Sequence, residues 1–160
     1  MRIGLLHSIV RKDEKLLIDA LKEVPGLQLE LIDDRTLCWQ PNANPLELDG
    51  LLARSVSHTR NLNVTRLYES LGVPCFNKAA VAEVCGDKLQ TSLALDKAGV
   101  PQPNWRTAFT PQSALQTIEE MGYPVVLKPV QGSWGRMISR INDRDAAEAI
   151  LEHKATLGGP

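Results

Sequence analysis

A chain of 160 residues with 43% hydrophobic and 23% charged residues is long enough for one domain or two small ones, and its composition excludes disordered, collagen-like and coiled-coil classes. Its 18 Lys and Arg against 19 Asp and Glu leave a formal net charge of -1, so no broad field draws it to nucleic acid or to an anionic membrane and any anion must be captured locally. The start, MRIGLLHSIVRKDEK, shows no small-residue cleavage pattern, no apolar run reaches membrane-spanning length, and Cys38, Cys75 and Cys85 lack CxxC spacing, so reduced thiols and a cytoplasmic location are expected.

In chain order, RIGLL at 2–6 reads as a short buried strand and DEKLLIDALKEV at 13–24 as a helix with Leu16, Leu17, Ala20, Leu21 and Val24 at helical spacing. Pro25-Gly26 stops that helix, LQLELID at 27–33 alternates as a strand, and LLARS at 51–55 follows the turn residues Asp49-Gly50. The intervening 34–48, DRTLCWQPNANPLEL, has two prolines and little periodicity and reads as a rim loop. A helix over 62–72 ends at Gly72, VPCFN at 73–77 makes another strand, and 79–99 reads as two helical pieces meeting at Gly86-Asp87, with the aspartate as N-cap of the second. Strands alternating with helices imply a parallel sheet with helices on its faces. Past the stiff break GVPQP at 99–103 come a strand around 104–109, a helix from Pro111 to Met121 and a strand VVLKP at 125–129 with both faces covered. MISRI at 137–141 is a further strand and Asp143–Lys154 a helix, too few elements for this second part to close a core, and a continuation beyond the helix-stopping LGGP is expected.

The chemistry concentrates where VVL-Lys128-Pro runs into Gln131-Gly-Ser-Trp-Gly-Arg136. A lone ammonium at the end of an apolar run needs an anionic partner or water. The glycines allow backbone N–H groups to approach an anion, Ser133 adds a hydroxyl and Arg136 a planar cation. A plain turn between strands also accounts for this spacing, which matches neither GxxxxGK[ST] nor GxGxxG. Lys88 stands in the first turn of a helix after Cys85-Gly-Asp87, where a solvated lysine is the alternative.

Together, CGDKLQTSLALDKAGVPQPNW and GYPVVLKPVQGSWGR resemble the ATP-grasp ligases, with an Asp-Lys opening a helix, a G-x-P-x-P exit, a lysine-bearing strand and a glycine-rich loop. NKAAVAEVCGDK and LKPVQGSWGRMISRINDRDAAEAILEHK look most like the lysine-biosynthesis branch that joins α-aminoadipate to a small acidic carrier protein, relatives of the RimK-like glutamate ligases. The resemblance implies an α/β fold with a preATP-grasp parallel-sheet domain over 1–88, and a linker helix with the first, incomplete ATP-grasp subdomain over 89–160. It implies that Lys88, Lys128 and the loop Gly132, Ser133, Trp134, Gly135, Arg136, Met137 and Ile138 hold ATP. The implied reaction activates a carboxylate as an acyl phosphate and lets an amine displace phosphate, with fixed cations stabilising the charge. Magnesium would bridge the phosphates, its ligands lying past residue 160 and none in this chain. An acidic amino acid and the C-terminal glutamate of the carrier would be the partners, in a homo-oligomer, and the 160 residues alone would not turn over.

RSVSHTR at 54–60 follows a strand at the sheet rim, where Arg54, with Ser55, Ser57 and Arg60, suits a ligand carrying two carboxylates; a polar strand-to-helix loop capped by serine is the other account. His58 reads as a surface residue, His7 ends the first strand, and His153 suits a helix C-terminus. Trp39 can cap a core edge, and Trp134 can cover a nucleotide. A non-catalytic association module is the competing reading.

Overall fold

The computed structural model describes residues 1–40, 46–132 and 137–156 and divides into two compact units, Met1–Glu83 and Val84–Pro160. In the first, β1 (Arg2–His7) is central to a parallel sheet in the order β2-β1-β3-β4, with β2 at Gln28–Asp33, β3 at Gly50–Arg54 and β4 at Cys75–Phe76. In register, Ile3, Leu5 and His7 meet Leu29, Leu31 and Asp33 on one side and Gly50, Leu52 and Arg54 on the other. Alternation along β1 sends Leu6 to the face where Leu51 and Ile32 pack with Val64 and Tyr68 of α2 (His58–Ser70), Val73 and Cys75. Trp39 meets the Tyr68 ring edge-on at 6.4 Å between centroids, so it does border this core.

Helix α1 (Lys12–Lys22) differs from its apolar pattern: Leu16 is 61% exposed, while Ile18 and Glu14 are buried. The face that packs runs through Glu14 and Ile18, one turn apart, because Glu14 is drawn inward by arginines rather than by apolar spacing. Only Cys75 and Phe76 of the expected 73–77 strand pair with β3.

From α3 (Ala79–Gly86) the chain passes Asp87 into α4 (Lys88–Lys97). In the second unit, α5 (Pro111–Met121), α6 (Arg144–Thr156) and the antiparallel pair β5 (Val125–Leu127) and β6 (Ser139–Ile141) close a core of Ala114, Ile118, Ile141, Ala147 and Leu151, where the sequence suggested too few elements for one. The expected strand at 104–109 is absent: residues 101–108 carry no regular structure. Gln102 is fixed there by its amide, which donates to Ser92 O at 2.9 Å and to the Asp96 carboxylate. Nor are both faces of β5 covered, since Val126, opposite Arg140, is 56% exposed while Val125 and Leu127 turn to the core. Two antiparallel strands backed by helices on one side leave the other side open. No helix among the described residues is long and apolar enough to cross a membrane.

Candidate functional site

In the second unit the site starts from a helix cap. The Asp87 carboxylate accepts the Gln90 N–H at 2.9 Å, which fixes Lys88 as the first residue of α4. An N–H in the first turn has no intrahelical acceptor, and that of Lys88 donates to Val130 O at 2.9 Å. Asp87 and Gln131 form a β-bridge, and the half-buried Lys88 extends Nζ to Gly132 O at 2.8 Å. The Thr91 hydroxyl, 2.7 Å from Val84 O and 2.9 Å from Asp87 O, holds the turn from behind. The start of α4 is therefore laid along 130–132, into which Lys128 leads from the end of β5. Lys128 is exposed and has no side-chain partner among the described residues.

Gly132 sits at φ 120, a conformation that side chains disfavour. Five residues on, Met137 has φ 59 and its carbonyl accepts from Lys154 Nζ at 3.0 Å; Met137 and Ile138 are both exposed. Lysine ammoniums thus hold the backbone at 132 and at 137, while Ser133, Trp134, Gly135 and Arg136 lie outside the described residues. A tethered ammonium and a glycine backbone meet at 130–132, a short way along the chain from the exposed Lys128, a donor set suited to a polyanion.

In the first unit a second polar cluster lies at the carboxyl ends of β1, β2 and β3. Arg54 Nη2 donates to Glu14 Oε1 at 3.0 Å, and Glu14 Oε2 takes Arg11 N at 3.1 Å and Arg11 Nε at 3.3 Å. Burial pushes the Glu14 carboxyl up, but the Arg11 side chain, the Arg11 N–H and Arg54 outweigh it and hold its pKa at about 2. Next to it the buried Asp34 carboxylate accepts from Ser8 Oγ at 2.6 Å and from Ser55 Oγ, with Arg60 Nε 3.3 Å from its other oxygen. Val56 N donates to Ser8 Oγ at 3.0 Å, and Ser57 caps α2 by accepting the Arg60 N–H. Asp33 is held well below the usual carboxylate range by Arg35, whose side chain and N–H both donate to it. His7 is buried with no partner for Nδ1 among the described residues, and His58 is exposed.

Of the residues singled out from sequence, Arg54, Ser55, Ser57, Arg60 and His7 therefore gather at one rim. Ser8, Glu14 and Asp34 were missed. The polar Ser8 and Asp33-Asp34 directly after two apolar strands were a usable signal for the rim, whereas Glu14 in RKDEK reads as a solvated first turn.

Residues 3–84 match the LysX preATP-grasp domain family and residues 85–157 the RimK-like ATP-grasp domain family. The chain belongs to the ATP-grasp family. A glutamate–LysW ligase ArgX of Sulfurisphaera tokodaii is 35% identical over 158 residues, 99% of this chain and 56% of that protein. An α-aminoadipate–LysW ligase LysX of the same organism is 31% identical, over 96% of this chain and 55% of that protein. In structure, a RimK domain ATP-grasp protein from Sphaerobacter thermophilus superposes with a TM-score of 0.85 at 32% identity, covering 99% of this chain and 60% of that one. The chain thus spans a little over half the length of these ATP-grasp relatives, which are named ligases where a reaction is named. The Asp87-Lys88 cap and the Lys128 strand both lie in the part matched to the RimK-like ATP-grasp domain.

Proposed function

We propose that this chain supplies the preATP-grasp and first ATP-grasp parts of an ATP-dependent carboxylate–amine ligase. Its substrates would be an acidic amino acid, α-aminoadipate or the one-methylene-shorter glutamate, and the C-terminal glutamate of a small carrier protein. The relatives named for both amino acids support this reading at the level of substrate class. A single methylene is worth only about 1–3 kcal/mol in a pocket, so similarity of this degree spans both. The 160 residues alone are expected not to turn over, given the length of the relatives they match.

One observation carries the nucleotide assignment: Lys88 is tethered by its N–H and its ammonium to 130–132, the segment that follows Lys128, whose side chain is exposed and has no partner among the described residues. When bound, ATP supplies the phosphoryl group that activates a carboxylate. Lys88 and Lys128 would hold phosphate oxygens as charge-assisted donors, and the backbone of Gly132, Ser133, Trp134, Gly135, Arg136, Met137 and Ile138 would wrap them. Lys88 can trade its neutral partner, the Gly132 carbonyl, for an anionic oxygen without changing the cap that places it. Arg54 would take a carboxylate of the amino-acid substrate. Among the described residues no group of three or more His, Cys, Asp or Glu side chains could hold a metal, so no residue is assigned to magnesium.

The test is calorimetric titration of the purified chain with ATP. Lys128→Ala should weaken binding by tenfold or more, the loss of one hydrogen bond to a charged group worth about 1.5–3 kcal/mol. Unchanged affinity in a folded Lys128→Ala protein would remove Lys128 from the site.

A further inference from the structure

The geometry points to Arg54 and Arg60 as a paired carboxylate receptor, each guanidinium set by a buried carboxylate, Glu14 behind Arg54 and Asp34 behind Arg60, for a ligand that carries two carboxylates. The receptor rests on the rim of the first unit; the choice of a glutamate-like dicarboxylate rests on the ligase reading above.

Position is the first argument. In the order β2-β1-β3-β4 the chain moves from β1 to one side and then crosses to β3 on the other, so the reversal falls between β1 and β3. Open parallel sheets bind ligands outside the carboxyl ends of the strands at that reversal. The strands there end at His7 and Arg54, which are Cα partners. Behind them Ser8 Oγ lies 3.1 Å from Ser55 Oγ and accepts Val56 N, which fixes the turn leading from Arg54 to Arg60.

Charge is the second. The side chains of Glu14 and Asp34 are 0% exposed, yet the arginines on them are 44% and 49% exposed. Taking a carboxylate out of water is costly unless it is paired and hydrogen-bonded, so these two carboxylates are held where they are by the groups around them, Arg11 and Arg54 on Glu14 and Ser8, Ser55 and Arg60 about Asp34. What the buried carboxylates achieve is orientation. Arg54 donates Nη2 to Glu14, and Arg60 Nε pairs by charge with Asp34 Oδ1 at 3.3 Å without a hydrogen bond; a guanidinium carries five N–H donors, so each keeps several for a ligand. Arg11, Arg54 and Arg60 against Glu14 and Asp34 leave the cluster one positive charge in excess.

The third argument is an unsatisfied atom. Alternation places His7 on the same sheet face as Arg54, and its Nδ1 is buried without a partner among the described residues. Buried polar atoms are nearly always bonded, so an orphan on the Arg54 face of the rim marks a place that a ligand completes; the other orphan of the rim, Asp34 Oδ1, is an acceptor that the Arg60 guanidinium 3.3 Å away can satisfy by a small rotation. Glu14 and Asp34 act here as positioning residues.

The experiment follows the arginine Nε–H resonances of the full 160-residue chain by NMR during titration with L-glutamate, L-glutamine and N-acetyl-glycyl-L-glutamate. The expected result is that Arg54 and Arg60 shift along one saturating curve with glutamate, and at least tenfold more weakly with glutamine, which keeps one carboxylate. Tighter binding of the peptide would make the ligand a C-terminal glutamate; tighter binding of the free amino acid would make it the small substrate. In Glu14→Gln, with core methyl signals retained, the Arg54 response should weaken at least tenfold. Failure of either arginine to respond in the unmutated chain, or equal response to glutamine, overturns the receptor. A parallel ATP titration read at the Lys88 amide separates the two proposals: a response there with silent arginines leaves the nucleotide site and removes the receptor. Responsive arginines with a silent Lys88 do the reverse.

Discussion

Gly4 lies inside β1 with strands on both sides, and a Cβ there would stand 2.6 Å from Leu48 Cδ1 and 3.0 Å from Ile32 Cδ1 and Leu51 Cδ1. Three apolar side chains have closed over the place a methyl would take, so Gly4→Ala overpacks the sheet's inner face and should destabilise by about 1–3 kcal/mol. Urea unfolding measures it; an unchanged midpoint would mean that Leu48 swings away freely. At the rim, Glu14 couples stability to pH. Its pKa is about 2 in the fold against 4.5 as its ordinary value, so the folded state favours the ionised form. The stabilisation is complete above about pH 4.5 and disappears as pH falls toward 2, because the unfolded chain takes up the proton first. Glu14→Gln should therefore be less stable than the parent at pH 6, and the difference should shrink as unfolding is measured from pH 4.5 downward. A gap that stays constant with pH would show that Glu14 contributes packing and not charge.

Elements show where local chemistry suffices and where it does not. Helix α5 opens on Thr110, whose Oγ1 accepts the Ser113 N–H at 3.1 Å while Ser113 Oγ accepts the Thr110 N–H at 3.2 Å, with Pro111 at the first helical position. Thr110→Ala should cost about 1 kcal/mol, read as a lower melting temperature with the helix otherwise intact by circular dichroism. Such local signals made α5 and the Asp87 cap of α4 legible in sequence, as the alternation of strands and helices made the parallel sheet. The 104–109 segment misled because a strand needs a neighbour to pair with, and no ladder among the described residues includes it, a requirement no local pattern carries. The same holds for the candidate rim: Arg54 and Ser55 could be placed at a strand end from sequence, but Glu14 becomes a buried partner only through an arginine forty residues away. Exposure of Val126 also escaped notice, since VVL reads alike whether one face of a strand is covered or two.

At the scale of the molecule, two hydrophobic cores form that share no residue, one around Leu6, Leu51 and Tyr68 and one around Ile141, Ile118 and Leu151. Each is assembled inside one of the two compact units. Ile141 is fully buried at the end of β6, opposite Val125 and among α5 and α6 side chains. Truncating it leaves a cavity that small helices and a two-stranded sheet close only in part, so Ile141→Ala should cost about 2–5 kcal/mol. Amide exchange read residue by residue is the suitable measurement, because it reports opening free energies separately along the chain. In β5, β6, α5 and α6 exchange should accelerate by a factor of about thirty at the lower end of that range. The amides of β1 and β3 should keep their protection, since no side chain that packs on Leu6 or Leu51 has been altered. Equal loss in β1 and β3 would mean that the chain opens as one cooperative body, and the segment at 130–132 would then be only as stable as the sheet of the first unit allows.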